Sequence, residues 1–104
     1  MIIYKKFMFI LPQLQGFDWN KVNLDKNLLK HNVSNSECEE ALFNQPLVVS
    51  PDEKHSQAEK RFYALGKTDN NRLLFLSFTV RNNLIRVISA SDMNKKEREQ
   101  YGQS

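Results

Sequence analysis

The sequence contains few of the residues that are typical of fibrous, low-complexity or disulfide-rich chains. Its 104 residues include three Gly, three Pro and one Cys, which excludes collagen-like repeats, flexible linkers and an intramolecular disulfide framework. The single thiol, Cys38, lies in a segment with helical character, where a buried thiol is expected rather than a catalytic one. This cysteine usage fits the reducing cytoplasm.

The sequence also lacks a long apolar segment. The apolar run over residues 7–11 ends at Pro12 and is too short for the hydrophobic region of a signal peptide. No stretch approaches the roughly 20 apolar residues that a membrane helix needs. We therefore expect a cytoplasmic protein that does not contact the membrane. Residues 1–16 are expected to form an N-terminal extension, either an edge strand or residues added by an upstream translation start, before one domain over residues 17–104.

The remaining composition is that of an ordinary folded domain with a small positive charge. Hydrophobic residues make up 40% and charged residues 26% of the chain, and the formal net charge is +3. The Lys and Arg residues concentrate in residues 21–31, 60–61, 81–86 and 95–98. Such basic clusters favour a polyanion such as RNA, because each neutralised phosphate releases counterions.

Two segments before residue 46 have the pattern of α-helices. Residues 20–31 place apolar side chains at helical spacing, and Asn32 is a suitable left-handed stop. The second helix is predicted from Ser34 and Glu37, which have the spacing of a capping box. Pro46 prevents this helix from continuing.

The periodicity changes to that of strands after Pro46. Four strands are predicted, over residues 47–49, 61–67, 73–80 and 84–90. Asn82-Asn83 can form a two-residue primed turn, because Asn tolerates positive φ. Asn94 and Glu97 repeat the capping-box spacing and begin a helix that ends near Tyr101. Two helices, about four antiparallel strands and a C-terminal helix predict an α+β domain.

An ordered series of short motifs over residues 17–101 resembles the BrnT toxin family. The series comprises Phe17-Asp18-Trp19-Asn20-Lys21, Asn27, Lys30-His31-Asn32-Val33, Glu40-Ala41, Phe43, Pro46, His55-Ser56, Glu59, Arg61, Gly66, Arg86, Ile88-Ser89-Ala90, Glu97-Arg98 and Tyr101. The resemblance implies a RelE-like fold and a type II toxin that cleaves RNA without a metal. It further implies neutralisation by a BrnA-like antitoxin, a hetero-oligomer of the two proteins, and operator DNA binding only through that complex.

The sequence departs from the family pattern at the end of the last predicted strand. Where the family usually has Ile-Ser-Ala-Arg, this chain has Ser91 in place of the Arg. Two hypotheses therefore stay open. The chain is an active endoribonuclease, or it is a catalytically weak or inactive relative that acts as an antitoxin- or nucleic-acid-binding regulator. A plain RNA-binding module is a third, but the aromatic pattern of an RNA-recognition sheet is missing.

Candidate catalytic residues follow from the chemistry of metal-free RNA cleavage. The reaction needs a base for the substrate's 2′-OH, positive charge on the phosphorane-like transition state and an acid for the 5′-oxygen. Arg61 and Arg86 lie on predicted strands of one sheet, and a guanidinium group donates two hydrogen bonds to a phosphate. The alternative is that each arginine pairs with a carboxylate. Glu59 is the candidate base, with an ion pair to Arg61 or Lys60 as its alternative.

The two histidines, His31 and His55, are the only imidazoles and are further catalytic candidates, since imidazole titrates near neutrality. His31 can equally cap a helix C-terminus, and His55 lies on a polar loop close to Glu59. Two His without Cys or carboxylate ligands at suitable spacing predict no metal site. No cofactor is expected either.

Four further residues are candidate RNA contacts: Lys30, Lys95, Arg98 and Tyr101. Arg98 and Tyr101 lie one turn apart on the last predicted helix, where packing or plain solvent exposure is the alternative. Trp19 could stack on a base, although a Trp at the start of a helix more often packs into the core.

Overall fold

The protein is an α+β domain in which one sheet has a helix on each face. The computed structural model describes residues 2–4, 16–19, 31–55 and 58–102. Its elements are β1 (Ile2–Tyr4), β2 (Gly16–Phe17), α1 (Asn35–Phe43), β3 (Leu47–Pro51), a 3₁₀ turn (Glu53–His55), β4 (Arg61–Lys67), β5 (Leu73–Arg81), β6 (Leu84–Asp92) and α2 (Lys95–Gly102).

The sheet has six strands in the order β1-β3-β4-β5-β6-β2. Strands β3 to β6 form the antiparallel meander predicted from the sequence, and α2 follows it. The expected number of about four strands was too low. It missed β2, and β1 was only one of two alternatives for the N-terminal residues. These edge strands have two and three residues, too few for a periodic signal. The helix predicted over residues 20–31 lies outside the described residues apart from His31, which is helical.

Both predicted capping boxes begin a helix. The Ser34 hydroxyl accepts a hydrogen bond from the backbone N–H of Glu37, whose carboxylate accepts one from the Ser34 backbone. Asn94 and Glu97 make the same pair of bonds at the start of α2. These bonds satisfy N–H groups that have no partner within the helix.

The β5–β6 hairpin has the predicted Asn-Asn turn. Asn82 and Asn83 have φ values of 52° and 64°, which a primed turn requires at both central residues. Further along the hairpin a register shift occurs at Ser77/Phe78, so that Phe78 lies opposite Val87 and Ser77 opposite Ser89. The extra residue, Ile88, lies in this irregularity and changes which side chains of β6 share a face.

Helix α1 packs on one face of the sheet and forms the main core. Cys38, Ala41 and Leu42 are fully buried, which confirms the predicted buried thiol. Burial, followed by the charges of Glu37 and Glu39, raises the pKa of Cys38 to about 12. The helix comes so close to β4 that a Cβ atom at Gly66 would overlap the Ala41 carbonyl.

Helix α2 packs on the opposite face but covers only one half of it. Met93 and Tyr101 pack there with Val48 and Leu65, and the Tyr101 hydroxyl donates a 2.6 Å hydrogen bond to the Pro46 carbonyl. Since α1 lies on the other face, neither described helix covers the remaining half. That half contains the N-terminal end of β4 and the β5–β6 hairpin.

Arg72 joins the opposite end of the meander to α1. Its guanidinium contacts the Asp92 carboxylate at 2.8 Å and the Glu37 carboxylate at 3.1 Å. It also donates to the backbone carbonyls of Asn32 and His31. The hydrogen bond from Arg72 lowers the pKa of Asp92, and the Ser34 N–H, followed by Arg72, lowers that of Glu37.

Candidate active site

Two arginines lie on neighbouring positions of the face that α2 leaves open. Arg61 pairs with Thr79, and Thr79 pairs with Arg86, across three adjacent strands. Directly opposed residues in antiparallel strands point to the same face, so both guanidinium groups extend from one surface. Two strand spacings separate the backbones of the two arginines by about 10 Å. Thr79 is buried between them, and its hydroxyl donates to the Lys60 carbonyl at 2.7 Å.

Glu59 lies beside these arginines and is paired with a third. Both of its carboxylate oxygens accept hydrogen bonds from Arg81, at 2.9 and 2.8 Å. These bonds lower the pKa of Glu59, and the charges of Arg86 and Arg61 lower it further. Glu59 is therefore ionised at neutral pH. The partner is Arg81 and not Arg61 or Lys60, the two that the sequence suggested.

His55 is bound to a buried carboxylate at the same end of the sheet. Its Nδ1 lies 2.9 Å from Asp52 Oδ2, and its backbone N–H donates to Asp52 Oδ1 at 3.3 Å. The backbone N–H of Asp52 in turn donates to the Arg61 carbonyl at 2.8 Å. The imidazole therefore lies one short turn from Asp52, whose backbone is hydrogen-bonded to the first residue of β4.

Tyr63 also donates a hydrogen bond to the Asp52 carboxylate. Burial alone would raise the pKa of Asp52, but the hydrogen bonds from His55 and Tyr63 outweigh burial and hold it below its ordinary value. Burial and Asp52 raise the pKa of Tyr63. Tyr63 follows Arg61 by two residues in β4, so the two side chains share a face.

A recess of about 280 Å³ adjoins Arg61. It is lined by Pro51, Glu53, Lys60, Arg61 and Phe62. Pro51 and Phe62 are register partners on β3 and β4, so the recess lies at the end of the sheet that contains His55. Its lining thus combines two cations, one carboxylate and two apolar side chains.

The structure thus brings together four of the five residues that the sequence suggested for catalysis: Glu59, Arg61 and Arg86 directly, and His55 through Asp52. The fifth, His31, lies at the other end of the meander, where its carbonyl accepts from Arg72 at 3.3 Å. Its position there agrees with the alternative role at a helix end.

Three of the four residues suggested as RNA contacts, Lys95, Arg98 and Tyr101, lie on α2 and apart from this group. Arg98 donates to the Met93 carbonyl at 2.7 Å, and Tyr101 is only 7% exposed. Lys95 is exposed at the start of α2, and Lys30 lies outside the described residues. Packing is therefore the main role that the structure gives to Tyr101.

Ser91, the position where the family usually has Arg, lies further along β6. It is half-buried and pairs with Phe75, a residue that packs with the cluster beneath α2. An Arg here would extend from the border between the covered and the open half of the face.

Sequence reasoning missed Asp52, Tyr63, Thr79 and Arg81. The spacing of Asp52 and His55 contained a usable signal, because an Asp three residues before a polar residue is typical of a capped turn. The partnership of Arg81 with Glu59 had no such signal, since it depends on the register between β4 and β5. Trp19, by contrast, has the packed role that we favoured: it stacks on Phe17, donates to Glu39 at 2.9 Å and packs against the core.

The fold and these side chains define a class of protein: a small α+β domain with a group of arginines on one sheet face. Over the parts of the chain that the structure describes, no group of three His, Cys, Asp or Glu could hold a metal ion. Within the same ranges, no helix is long and apolar enough to cross a membrane.

A family model of the ribonuclease toxin BrnT of type II toxin–antitoxin systems matches residues 19–97. The chain belongs to this family, as the motifs over residues 17–101 predicted. A search of curated proteins found no match. The family description implies an antitoxin protein as a partner and ribonuclease activity in general.

Proposed function

We propose that this chain is a metal-independent endoribonuclease, the toxin of a type II toxin–antitoxin system in the cytoplasm. The observation that supports the proposal most is the register of Arg61, Thr79 and Arg86 on the open half of the sheet. Two guanidinium groups on one face, with a histidine at the same end, provide charge and a proton carrier for a phosphodiester.

Arg61 and Arg86 bind the scissile phosphate in this proposal. Each has a planar fork that matches two phosphate oxygens, and positive charge stabilises the extra negative charge of the phosphorane-like transition state. Glu59 uses both oxygens to hold Arg81. We therefore assign Glu59 to orienting the arginine group and not to accepting the substrate's proton, because its lowered pKa makes it a weak base.

His55 moves the proton. The 2′-oxygen forms a bond to phosphorus as its proton leaves to the imidazole, and the bond between phosphorus and the 5′-oxygen breaks. The 5′-oxygen takes a proton from water, and the imidazolium returns its own proton to the hydroxide so formed. The products therefore end in a 2′,3′-cyclic phosphate and a 5′-hydroxyl. These bond changes need no metal ion, since the 2′-hydroxyl of the substrate is the nucleophile.

A BrnA-like antitoxin is the proposed neutralising partner, bound in a hetero-oligomer. The complex, and not the toxin alone, would contact operator DNA. Both ends of the sheet order are short strands, β1 and β2, and a short edge strand leaves backbone groups of its neighbour available for pairing with another chain.

A second candidate function follows from Ser91. If the family's Arg at this position contributes to phosphate binding, the chain is a weak or inactive enzyme that retains antitoxin or nucleic-acid binding. Ser91→Arg separates the two functions. A large gain in RNA cleavage would favour the weak enzyme. An unchanged rate, in a wild type that already cleaves RNA, would show that Arg61 and Arg86 suffice.

Inducible expression in a bacterial host tests the proposed function, with growth and total RNA integrity followed together. We expect growth arrest with RNA fragmentation, abolished by Arg86→Ala in a protein that still folds. Co-expression of a small ribbon-helix-helix protein encoded next to the toxin gene should restore growth. Normal growth with intact RNA in the wild type would refute the proposal.

A further inference from the structure

Asp52 is the most deeply buried carboxylate near the open face. The residue is 3% exposed, and a carboxylate taken out of water needs hydrogen-bond donors in its place. Its donors on described residues include the backbone N–H of His55, the ring Nδ1 of His55 and the Tyr63 hydroxyl. Two of these donors come from a single histidine, so the carboxylate fixes both the backbone and the ring of His55.

The contact determines which nitrogen of His55 carries the hydrogen. The ionised Asp52 carboxylate has no hydrogen to donate, so at 2.9 Å the ring Nδ1 must donate. In a neutral imidazole the other nitrogen, Nε2, then has the lone pair. The His55 side chain is 50% exposed, whereas that of Asp52 is 4% exposed. The lone pair therefore belongs to the nitrogen opposite the Asp52 contact, on a ring whose side chain is half exposed.

We propose that Asp52 is a positioning residue that holds His55 in the Nδ1–H tautomer, presents Nε2 to the 2′-hydroxyl of RNA, and stabilises the ring once it is protonated. This inference rests on the proposed function, because Asp52 acts only through His55. Tyr63 supports the arrangement from β4 by supplying the third hydrogen bond. The link from Asp52 N–H to the Arg61 carbonyl fixes the pair relative to the phosphate-binding arginine.

A purely structural role would be different. An Asp that accepts a backbone N–H three residues later stabilises a turn, and its removal would lower stability without any relation to His55. The two roles separate when Asp52→Asn, His55→Ala and the double variant are compared. The Asn amide oxygen can still accept the backbone N–H, but the amide has no charge and does not impose one tautomer.

The first measurement is the ¹⁵N NMR spectrum of the His55 ring, recorded roughly two units above the ordinary imidazole pKa of about 6.5. We expect the wild type to show a protonated Nδ1 and an unprotonated Nε2. Asp52→Asn should give a mixture of tautomers. Glu53→Gln, which removes an exposed carboxylate from the same turn, should leave the wild-type spectrum unchanged.

The second measurement is the cleavage rate on a short RNA oligonucleotide. Asp52→Asn should lower kcat by roughly 10- to 100-fold, with a much smaller change in KM, because the substrate does not touch Asp52. In the His55→Ala background the same change should have almost no further effect, since residues that act as one unit are not additive.

Two failures can be distinguished. If the wild type cleaves RNA and His55→Ala does not, but Asp52→Asn retains kcat or adds fully to His55→Ala, the positioning role is overturned and the proposed function stands. If the wild type itself leaves RNA intact in every condition, the proposed function fails and this inference fails with it. A wild-type ring with the hydrogen on Nε2 would contradict the inference without any activity measurement.

Discussion

Arg61 and Arg86 lie on β4 and β6 at the same level of the sheet, each directly opposite the buried Thr79 of β5. The chain separates them by 25 positions, yet the meander brings their backbones to within about 10 Å of one another. Both residues are half-buried, and α2, the described helix on this face, packs on its other half. The positions of Arg61 and Arg86 therefore support their proposed role in binding the scissile phosphate.

Replacing Arg61 should reduce RNA cleavage far more than removing another cation of the same strand. We expect Arg61→Ala to lower kcat/KM on the order of 10²- to 10³-fold, as the loss of a transition-state donor does. Lys67→Ala is the matched control, because Lys67 lies on the same face at the opposite end of β4 and should change the rate little. Equal losses in the two variants would mean that only net charge matters.

Glu59→Gln should have a modest effect on catalysis. Loss of a general base typically lowers the rate by about 10²- to 10⁴-fold. We expect a loss below about tenfold, because Glu59 holds Arg81 and its lowered pKa makes it a weak base. Steady-state kinetics on the same oligonucleotide measure this difference. A loss of cleavage rate as large as that of Arg61→Ala would indicate that Glu59 is the general base.

Gly66→Ala should destabilise the fold. A Cβ at this position overlaps the Ala41 carbonyl of α1, and overpacking of a buried contact costs about 1–3 kcal/mol. Gly102→Ala is the control, since a Cβ there meets nothing within 4 Å. Urea unfolding of both variants measures the free energies of unfolding. Equal stability of the two variants would show that α1 shifts away from β4 without cost.

Acid should destabilise the protein through the Arg72 ion pairs. The folded-state pKa of Asp92 is lowered by Arg72, so this carboxylate stabilises the fold above its unfolded-state pKa, and the stabilisation is lost as the pH falls below about 4. Arg72→Gln should be less stable near neutrality and should lose less stability on acidification. Urea unfolding at several pH values tests this, with Lys96→Gln as the exposed control. Parallel pH profiles for wild type and Arg72→Gln would contradict it.

Local chemistry made much of the fold predictable. The Ser34 and Asn94 capping boxes depend on residues three positions apart, and the Asn82-Asn83 turn depends on one dipeptide, so short-range patterns contain all the information. Short apolar runs, with partial alternation in the last of them, likewise placed the four strands of the meander. The BrnT family followed from motifs spread along the whole chain.

The rest depends on long-range register, which no local pattern specifies. The pairing of β4 with β5, across the loop of residues 68–72, places Arg61 opposite Thr79 and brings Arg81 within reach of Glu59. The burial of Asp52 arises from the packing of the loop against β4. Sequence therefore identified most of the catalytic candidates but not the residues that bind and orient them.

The most direct test of the central claim is cleavage of a defined RNA oligonucleotide by the purified protein in the presence of EDTA, with the product ends identified by mass spectrometry. The account predicts fragments with 2′,3′-cyclic phosphate and 5′-hydroxyl ends, and it predicts that Arg86→Ala abolishes them without unfolding the protein. Intact RNA, cleavage only after a divalent metal is added, or undiminished cleavage by Arg86→Ala would contradict it.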